Sequence, residues 1–175
     1  RENQAESNGH RWGKQIFFMG IAILGIGLFW MQKDHYKAYQ QWNKAQMFYN
    51  NKAYEAALEV YEPLYPLLKH KPEFLFEAAQ SLSKTGQYEK ANEYLERAVL
   101  LSSDPMLYYV MAKNEQCLGE YRQAEKHLLH AIDILPERIY PYYLLMNLYT
   151  EPSYFQPAKL KMAIDSVLTK KPKVE

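Results

Sequence analysis

The chain has 175 residues, 48% of them hydrophobic, enough for one ordinary domain with a real core and a short additional segment. Its 21 Lys and Arg residues nearly balance its 20 Asp and Glu residues, and this argues against nucleic acid as a partner, because phosphate binding needs a basic surface. The single cysteine, Cys117, excludes an internal disulfide.

The first predicted element is a hydrophobic run near the N-terminus. Residues 16–31 contain no charged side chain. As a helix, the uncharged stretch 15–32 spans about 27 Å, close to the thickness of a bilayer core. Trp12 and Trp30 stand near its two ends, where membrane proteins concentrate aromatic residues. We therefore predict a transmembrane helix at residues 15–32, preceded by a polar flank at residues 1–14.

Two other interpretations of this run are a signal peptide and the buried helix of a soluble protein. A signal peptide requires small residues before its cleavage site, whereas residues 28–31 are Leu, Phe, Trp and Met. A buried helix is the less favoured alternative, since the run is apolar on all sides. Basic residues are equally numerous within about 15 residues of either end, so the positive-inside rule leaves the orientation open.

The remainder of the chain is organised by an internal repeat, the strongest signal in the sequence. An aromatic residue precedes an alanine by three positions four times, and the alanines are separated by 34, 33 and 34 residues. A period of this length is typical of stacked helix pairs. The four pairs are Tyr54 and Ala57, Tyr88 and Ala91, Tyr121 and Ala124, and Phe155 and Ala158.

Turn residues place the helices between these markers. Gly86 and Gly119 stand two residues before the aromatic in the middle copies, where a turn between paired helices needs a permissive backbone. The first copy has Asn51 and Lys52 instead. Neither glycine nor proline interrupts residues 28–62, so the membrane helix is expected to run on into the first repeat helix. Helices are predicted at residues 34–50, 54–68, 72–85, 88–101, 105–118, 121–135, 139–149 and 157–170.

These features resemble the tetratricopeptide repeat family. The middle copies match well, and the outer copies match less well, as terminal repeats usually do because one side faces solvent. The resemblance implies an all-α fold, in which one transmembrane helix is followed by a tetratricopeptide-type right-handed solenoid of about four helix pairs. The matching residues are Ala79 or Ala112, Gly86-x-Tyr88-x-x-Ala91, Gly119-x-Tyr121-x-x-Ala124, Ala98 or Ala131, and Pro136.

Domain boundaries follow from the repeat. The tetratricopeptide repeat domain is expected at residues 33–171, with a short tail at residues 172–175. Its units are expected at residues 33–70, 71–103, 104–137 and 138–171.

The resemblance implies a concave face, lined by the first helix of each pair, that holds a protein partner. Within this face an aromatic recurs at spacings of 34, 33 and 34, at Trp42, Phe76, Tyr109 and Tyr143. This aromatic ladder has two interpretations, a partner-binding groove and packing between adjacent helices, and packing is favoured because aromatics prefer cores. The predicted partner-binding residues are Tyr39, Trp42, Gln46, Tyr49, Phe76, Gln80, Lys84, Tyr109, Lys113, Gln116, Tyr140, Tyr143 and Asn147.

Candidate reactive side chains are few. His127 and His130 are three positions apart on a helix, but no third ligand stands near them in sequence, so we expect solvated surface residues. Glu73 and Glu77 fit the charge pattern of a helix surface better than acid–base catalysis. The sequence has no Gly-rich phosphate loop or nucleophile elbow, and we expect no catalytic residue, cofactor or metal site.

A closer resemblance is carried by residues 65–76 and 136–149 together with the membrane helix. These segments are similar to the C-terminal tail of Bacteroidetes O-antigen ligase/polymerase-like membrane proteins. The resemblance implies a bacterial inner-membrane protein with a periplasmic repeat domain, a role in lipopolysaccharide biosynthesis in the cell envelope, and glycan-assembly partners. The catalytic loops of such an enzyme lie upstream, so no catalytic residue is carried over. The alternative is a single-span scaffold that recruits a protein partner to the membrane.

Overall fold

The computed structural model describes the backbone of residues 2–170 and the side chains of residues 17–30 and 33–170. Within that range the chain forms eight α-helices, one short 3-10 helix and no β-strand, so the all-α prediction is confirmed. The α-helices are α1 (Glu2–Asn50), α2 (Tyr54–Leu68), α3 (Pro72–Lys84), α4 (Tyr88–Val99), α5 (Pro105–Leu118), α6 (Tyr121–Ile134), α7 (Tyr140–Tyr149) and α8 (Pro157–Thr169).

The chain divides into two compact units, Arg1–Gln41 and Trp42–Glu175, with the boundary inside α1. The first unit contains the predicted membrane segment, and the side chains of residues 17–30 are all exposed. Among the described residues, one helical stretch, Phe17–Asn50, is long and apolar enough to cross a membrane by length and composition. The transmembrane helix stays a prediction, and the tail at residues 172–175 lies outside the described residues.

In the second unit, consecutive helices from α2 to α8 pack against one another. The alanines of the first three copies, Ala57, Ala91 and Ala124, are completely buried. A methyl group is the smallest side chain with a Cβ, so these positions let neighbouring helices approach closely without a cavity. The alanine spacing in the sequence therefore identified true helix–helix contacts.

The turns within the first three helix pairs share one backbone feature. Gly86 and Gly119 have φ values of +81° and +78°, in the left-handed region that favours glycine. Lys52 stands in the same place of the first copy and adopts a φ of +60°. The first turn therefore has the same geometry as the others although it lacks glycine.

The fourth copy corrects the predicted alignment. Ala158 is exposed, although the matching alanines of the other copies are buried, and Phe155 is also exposed. The side chains of α8 that pack on the preceding helices are Ala163, which is 4% exposed, and the half-buried Leu160. The buried small residue of α8 is therefore Ala163, and not Ala158.

The turn before α8 also differs from those of the middle copies. Pro152 and Ser153 form it in place of a glycine turn, and proline cannot adopt a positive φ. The chain instead forms a 3-10 helix at Pro152–Tyr154. Tyr154, and not Phe155, then takes the aromatic position, with its ring stacked on Tyr121 at 5.5 Å between centroids.

Candidate partner-binding groove

Three helices form one face of the second unit. α3 contacts α5, and α5 contacts α7, so the first helices of successive pairs lie side by side. A cavity of about 400 Å³ opens among them, and we call it the central groove. Its lining residues are Gln80, Ser83, Lys84, Tyr88, Met106, Tyr109, Val110, Lys113, Asn114, Cys117, Tyr140 and Leu144.

Two smaller cavities adjoin the central groove. One has a volume of about 260 Å³, shares Lys113 and Tyr140 with the groove, and reaches Asn147 on α7. The other has a volume of about 310 Å³, shares Met106 and Tyr140, and reaches Arg138 before α7. Because they share Tyr140, the three cavities lie side by side on a recessed surface along α5 and α7.

Most of the predicted partner-binding residues meet on this surface. Helical spacing was enough to bring residues of α3, α5 and α7 onto one face, because the paired helices repeat in register. That these residues contact a partner stays a prediction. The ones that line the central groove or the cavity beside it are Gln80, Lys84, Tyr109, Lys113, Gln116, Tyr140, Tyr143 and Asn147.

The residues of the aromatic ladder differ in role, some packing between helices and one facing the recessed surface. Tyr109 is 6% exposed, and its ring lies edge-on to Tyr140 with 5.2 Å between centroids. Trp42 lies edge-on to Phe74 at 5.7 Å. Tyr143 is 53% exposed and lines the cavity that reaches α7. Packing accounts for Trp42 and Tyr109, whereas Tyr143 is free of the core and available to a partner.

The residues predicted from the first copy are engaged with α3. Trp42 donates its indole N–H to Oε2 of Glu77 at 2.6 Å, and Gln46 donates to Oε1 of the same carboxylate at 2.8 Å. The Tyr49 hydroxyl donates to the side-chain oxygen of Gln80. These side chains therefore connect the end of α1 to α3 and are held by hydrogen bonds within the fold.

Glu77 corrects the expectation of a solvated surface charge. Its carboxylate is half-buried and accepts a further hydrogen bond from the Tyr61 hydroxyl at 3.0 Å. Burial, together with the charge and hydrogen bond of Glu77, raises the pKa of the Tyr61 phenol well above its usual value. Glu73, one helical turn earlier, is exposed as predicted. The two carboxylates of α3 therefore have different roles.

Tyr39 and Phe76, like the three first-copy residues described above, line neither the central groove nor the two cavities beside it, and seven residues of the central groove were not predicted. Tyr39 belongs to the first unit, and Phe76 is a half-buried residue of α3. Among the unpredicted residues, Tyr88 and Cys117 line the groove, although the sequence indicated Tyr88 only as a repeat marker and Cys117 only as the single cysteine. One available signal was spacing, since Cys117 stands four residues after Lys113 on the same face of α5.

The charge of the central groove is one-sided. Lys84 and Lys113 are both exposed and line it, and its described lining includes no Asp or Glu. Burial raises the pKa of the Tyr109 phenol, although the positive charge of Arg138 opposes this shift, so the hydroxyl stays neutral at ordinary pH. The groove therefore combines cations with neutral aromatic and apolar surface.

His127 is not the solvated side chain that the sequence predicted. Its Nδ1 lies 2.9 Å from Oε2 of Glu115, whose side chain is 6% exposed. His130 is exposed, and its ring lies edge-on to Tyr108 at 4.7 Å. The two histidines therefore help to pack α6 against α5. In the part of the chain that the structure describes, no group of three His, Cys, Asp or Glu side chains is arranged to hold a metal ion.

Parts of the chain are similar to known proteins in sequence. Residues 50–131, just under half of the chain, match the family described as anaphase-promoting complex, cyclosome, subunit 3. A stretch of 86 residues is 35% identical to tetratricopeptide repeat protein 21A of Mus musculus. This stretch covers 49% of the chain but only 6% of that protein, so the chain corresponds to a small part of the relative's length.

Solved structures share the arrangement of the helices. MamA of Desulfovibrio magneticus RS-1 has a TM-score of 0.65 at 18% identity, with 75% of this chain and 72% of that chain covered. The type III secretion chaperone SycD of Yersinia enterocolitica, in complex with a peptide of the translocator YopD, has a TM-score of 0.56 at 19% identity. That match covers 72% of this chain and 91% of SycD. The chain therefore contains a tetratricopeptide-like repeat domain.

Proposed function

We propose that the repeat domain is a protein-interaction module whose central groove holds an extended segment of a partner protein. The observation that carries this proposal is the open cavity of about 400 Å³ among α3, α5 and α7. Met106 and Tyr140 line it and are 41% and 51% exposed, so the groove presents apolar and aromatic surface to a ligand. The similar fold of SycD, in complex with a translocator peptide, supports a peptide as the occupant.

The dimensions of the groove favour a short linear segment. α5 contributes more lining residues than any other helix, and its 14 residues span roughly 21 Å. An extended chain advances about 3.3 Å per residue, so a segment of about six residues matches the length of α5. Side chains that alternate along such a segment can enter the cavities on either side of Tyr140.

The exposed aromatics of this surface allow a direct test. A random peptide library is displayed against the full chain in detergent micelles, and the affinities of the selected peptides are measured for variants. Tyr140→Ala and Tyr143→Ala should each weaken binding about tenfold, because exposed aromatic rings at a binding surface are frequent hot spots. Each side chain is more than half exposed, so thermal stability should change by no more than about 0.5 kcal/mol.

The matched control is Phe155→Ala. This aromatic is 59% exposed but lies outside the groove, so its removal should leave peptide affinity unchanged. Peptides that bind all three variants with the affinity of the wild type would show that the groove is not the partner site.

We further propose that the helix at residues 15–32 anchors the chain in a membrane. The supporting observation is that the large side chains of residues 17–30, among them Phe18, Leu24 and Phe29, are each more than half exposed. A helix of this composition is unfavourable in water, since removing apolar surface from water stabilises a protein by about 25 cal/mol for each Å². A lipid environment removes this cost.

Alkaline extraction of membranes tests the anchor. The wild-type chain should stay in the membrane fraction after the wash, and the double variant Ile23→Arg with Leu24→Arg should be released, because each central arginine costs about 3 kcal/mol. The matched control, Lys37→Arg with Lys44→Arg, should stay in the membrane. Release of the wild-type chain by the wash would reject the proposal.

The finer proposal is that this chain is the non-catalytic C-terminal part of an O-antigen ligase/polymerase-like protein of the bacterial inner membrane, with the repeat domain in the periplasm. It is supported by the resemblance at residues 65–76 and 136–149. The coding region upstream of Arg1 decides between this parent and a single-span scaffold. About ten further hydrophobic spans of roughly 20 residues each support the ligase-like parent. A start codon directly before Arg1 supports the scaffold.

A further inference from the structure

The central groove contains two cations that have no anionic partner within the described chain. Lys84 of α3 and Lys113 of α5 both line it, and its described lining includes no carboxylate. Across the described side chains, no carboxylate oxygen lies within 4.0 Å of either ammonium group. Because the whole chain has 21 basic and 20 acidic residues, this imbalance is a local property of the groove.

Three carboxylates on or beside the groove helices are already engaged. Glu77 of α3 accepts hydrogen bonds from Trp42, Gln46 and Tyr61. Glu151, which follows α7, accepts from Gln116 at 2.5 Å. Asp104 caps the start of α5 by accepting a backbone N–H at 2.9 Å. Neither groove lysine is paired with these carboxylates, so both ammonium groups are open to the anions of a ligand.

We propose that the occupant of the central groove is an acidic peptide segment. An apolar or aromatic side chain of the segment packs against Met106 and Tyr140, and Asp or Glu residues beside it pair with Lys84 and Lys113. This inference rests on the proposed function and adds the chemistry of the partner to it. The ring of Tyr140 lies edge-on to Tyr109, and this contact forms one wall of the central groove.

The two kinds of contact make different contributions. Aromatic and apolar contacts in a recessed pocket supply most of the affinity of an interface. Charges in a partly solvated groove contribute mainly to partner choice and to the association rate. Their influence reaches about 8 Å at physiological ionic strength and falls at high salt. The acidic residues of the segment should therefore determine which peptides bind, with an effect that salt removes.

The experiment uses three pools of short synthetic peptides and the full chain in nonionic detergent micelles. Every peptide has Phe, Leu, Met or Trp at its central position. The flanking positions, separated by Ser, carry Glu in the first pool, Gln in the second and Lys in the third. Binding is measured by fluorescence anisotropy at low and at high salt. A single-stranded oligonucleotide serves as a second anionic probe.

We expect the glutamate pool to bind about fivefold or more tightly than the glutamine pool at low salt, and high salt should remove this difference. The double variant Lys84→Glu with Lys113→Glu should weaken binding of the glutamate pool about tenfold and strengthen binding of the lysine pool. The matched control, Lys126→Glu with Lys161→Glu, makes the same charge change at exposed positions outside the groove lining and should leave both affinities unchanged.

The outcomes separate this inference from the proposed function. Equal binding of the glutamate and glutamine pools, with loss of both in Tyr140→Ala, overturns the acidic segment and keeps the peptide groove. Tighter binding of the oligonucleotide than of the glutamate pool also overturns the inference. If no pool binds the wild-type chain, both proposals are wrong.

Discussion

Trp42 and Glu77 are joined by a 2.6 Å hydrogen bond from the indole N–H to the carboxylate, which connects the end of α1 to the middle of α3. The same carboxylate accepts from Gln46 and from Tyr61 of α2. One side chain therefore satisfies donors from two other helices. A donor that loses its acceptor in a partly buried site costs about 1–3 kcal/mol of stability. Glu77 therefore stabilises the fold mainly by accepting the hydrogen bonds of these donors.

Replacement of Glu77 should reveal this network. Glu77→Ala leaves several donors without an acceptor, and we expect the free energy of unfolding to fall by about 2–4 kcal/mol. Glu77→Gln keeps an acceptor oxygen and should cost about 1 kcal/mol or less. Glu73→Ala removes an exposed carboxylate from the same helix and should change stability by no more than about 0.5 kcal/mol. Unfolding of the full chain in detergent, followed by circular dichroism, measures all three, and equal losses for both alanine variants would contradict the network.

The helices and their pairing were accessible from the sequence because local chemistry determines them. Pro72 and Pro105 begin α3 and α5, Gly119 ends α5 with a positive φ, and the alanine period marks where helices touch. The predicted bounds of α2 and α5 match the structure, and most other helices end one or two residues earlier than predicted. Helix ends fray, so differences of this size carry no structural meaning.

The Glu77 network was not accessible in the same way. Its donors Trp42 and Gln46 stand 35 and 31 residues away in sequence, and the charge of Glu77 alone favoured a solvated position. Which face of a helix is covered depends on its neighbours, and periodicity identifies a face without naming its partner. The surface that carries the groove was more accessible, since the repeat places the first helices of successive pairs side by side and residues such as Lys84, Lys113 and Tyr143 then lie on one face.

The left-handed backbone at Lys52 predicts opposite effects of glycine at two positions. Lys52 has a φ of +60°, a conformation that costs a residue with a Cβ about 1–2 kcal/mol. Glycine removes this cost but adds freedom to the unfolded chain, so Lys52→Gly should raise the free energy of unfolding by about 0.5 kcal/mol. Lys69 ends α2 with a normal φ of −59°, and Lys69→Gly should lower stability by a similar amount.

Gly119→Ala gives the converse measurement. Apart from its chain neighbours, no heavy atom lies within 4 Å of the Cβ that the alanine would add, so the backbone conformation determines the cost of the substitution. We expect a loss of about 1 kcal/mol in the free energy of unfolding. Denaturant titration of the full chain in detergent measures each variant. A stabilised Gly119→Ala would show that the turn can adopt a negative φ.

The corrected alignment of the fourth unit predicts a contrast between its two alanines. Ala163 is 4% exposed within the core cluster of α5 to α8, and Ala163→Leu should lower the free energy of unfolding by about 1–3 kcal/mol through overpacking. Ala158 is exposed, so Ala158→Leu should change stability by no more than about 0.5 kcal/mol. Thermal unfolding measures both variants. The opposite ranking would restore the sequence alignment, with Ala158 as the packed residue.

A second carboxylate, Glu125 of α6, joins the fourth helix pair to the third. Lys159 of α8 contacts Glu125 Oε1 at 2.7 Å, and the hydroxyls of Tyr149 and Tyr154 donate to the carboxylate at 2.7 and 2.8 Å. Burial raises the pKa of Glu125, but the hydrogen bonds from Lys159, Tyr149 and Tyr154 together outweigh burial and lower it below its ordinary value. The ionised carboxylate is therefore the form that the folded state favours.

This shift gives the Glu125 contacts a defined pH dependence. A group whose pKa is lowered by folding contributes stability above its unfolded value, here about 4.5, and loses it as the pH falls through the lower folded value. At neutral pH, Glu125→Gln should cost about 1 kcal/mol, less than a fully buried charged hydrogen bond because the site is partly solvated. The stability gap between wild type and Glu125→Gln should be constant from neutral pH to about pH 5 and narrow on further acidification.

The control variants are on α8. Lys159→Gln should reduce the difference in stability between proteins with and without the Glu125→Gln substitution at neutral pH, and Lys161→Gln, an exposed neighbour, should not. A gap that stays constant below pH 4.5, measured by thermal unfolding in detergent, would mean that the contacts do not depend on the charge of Glu125.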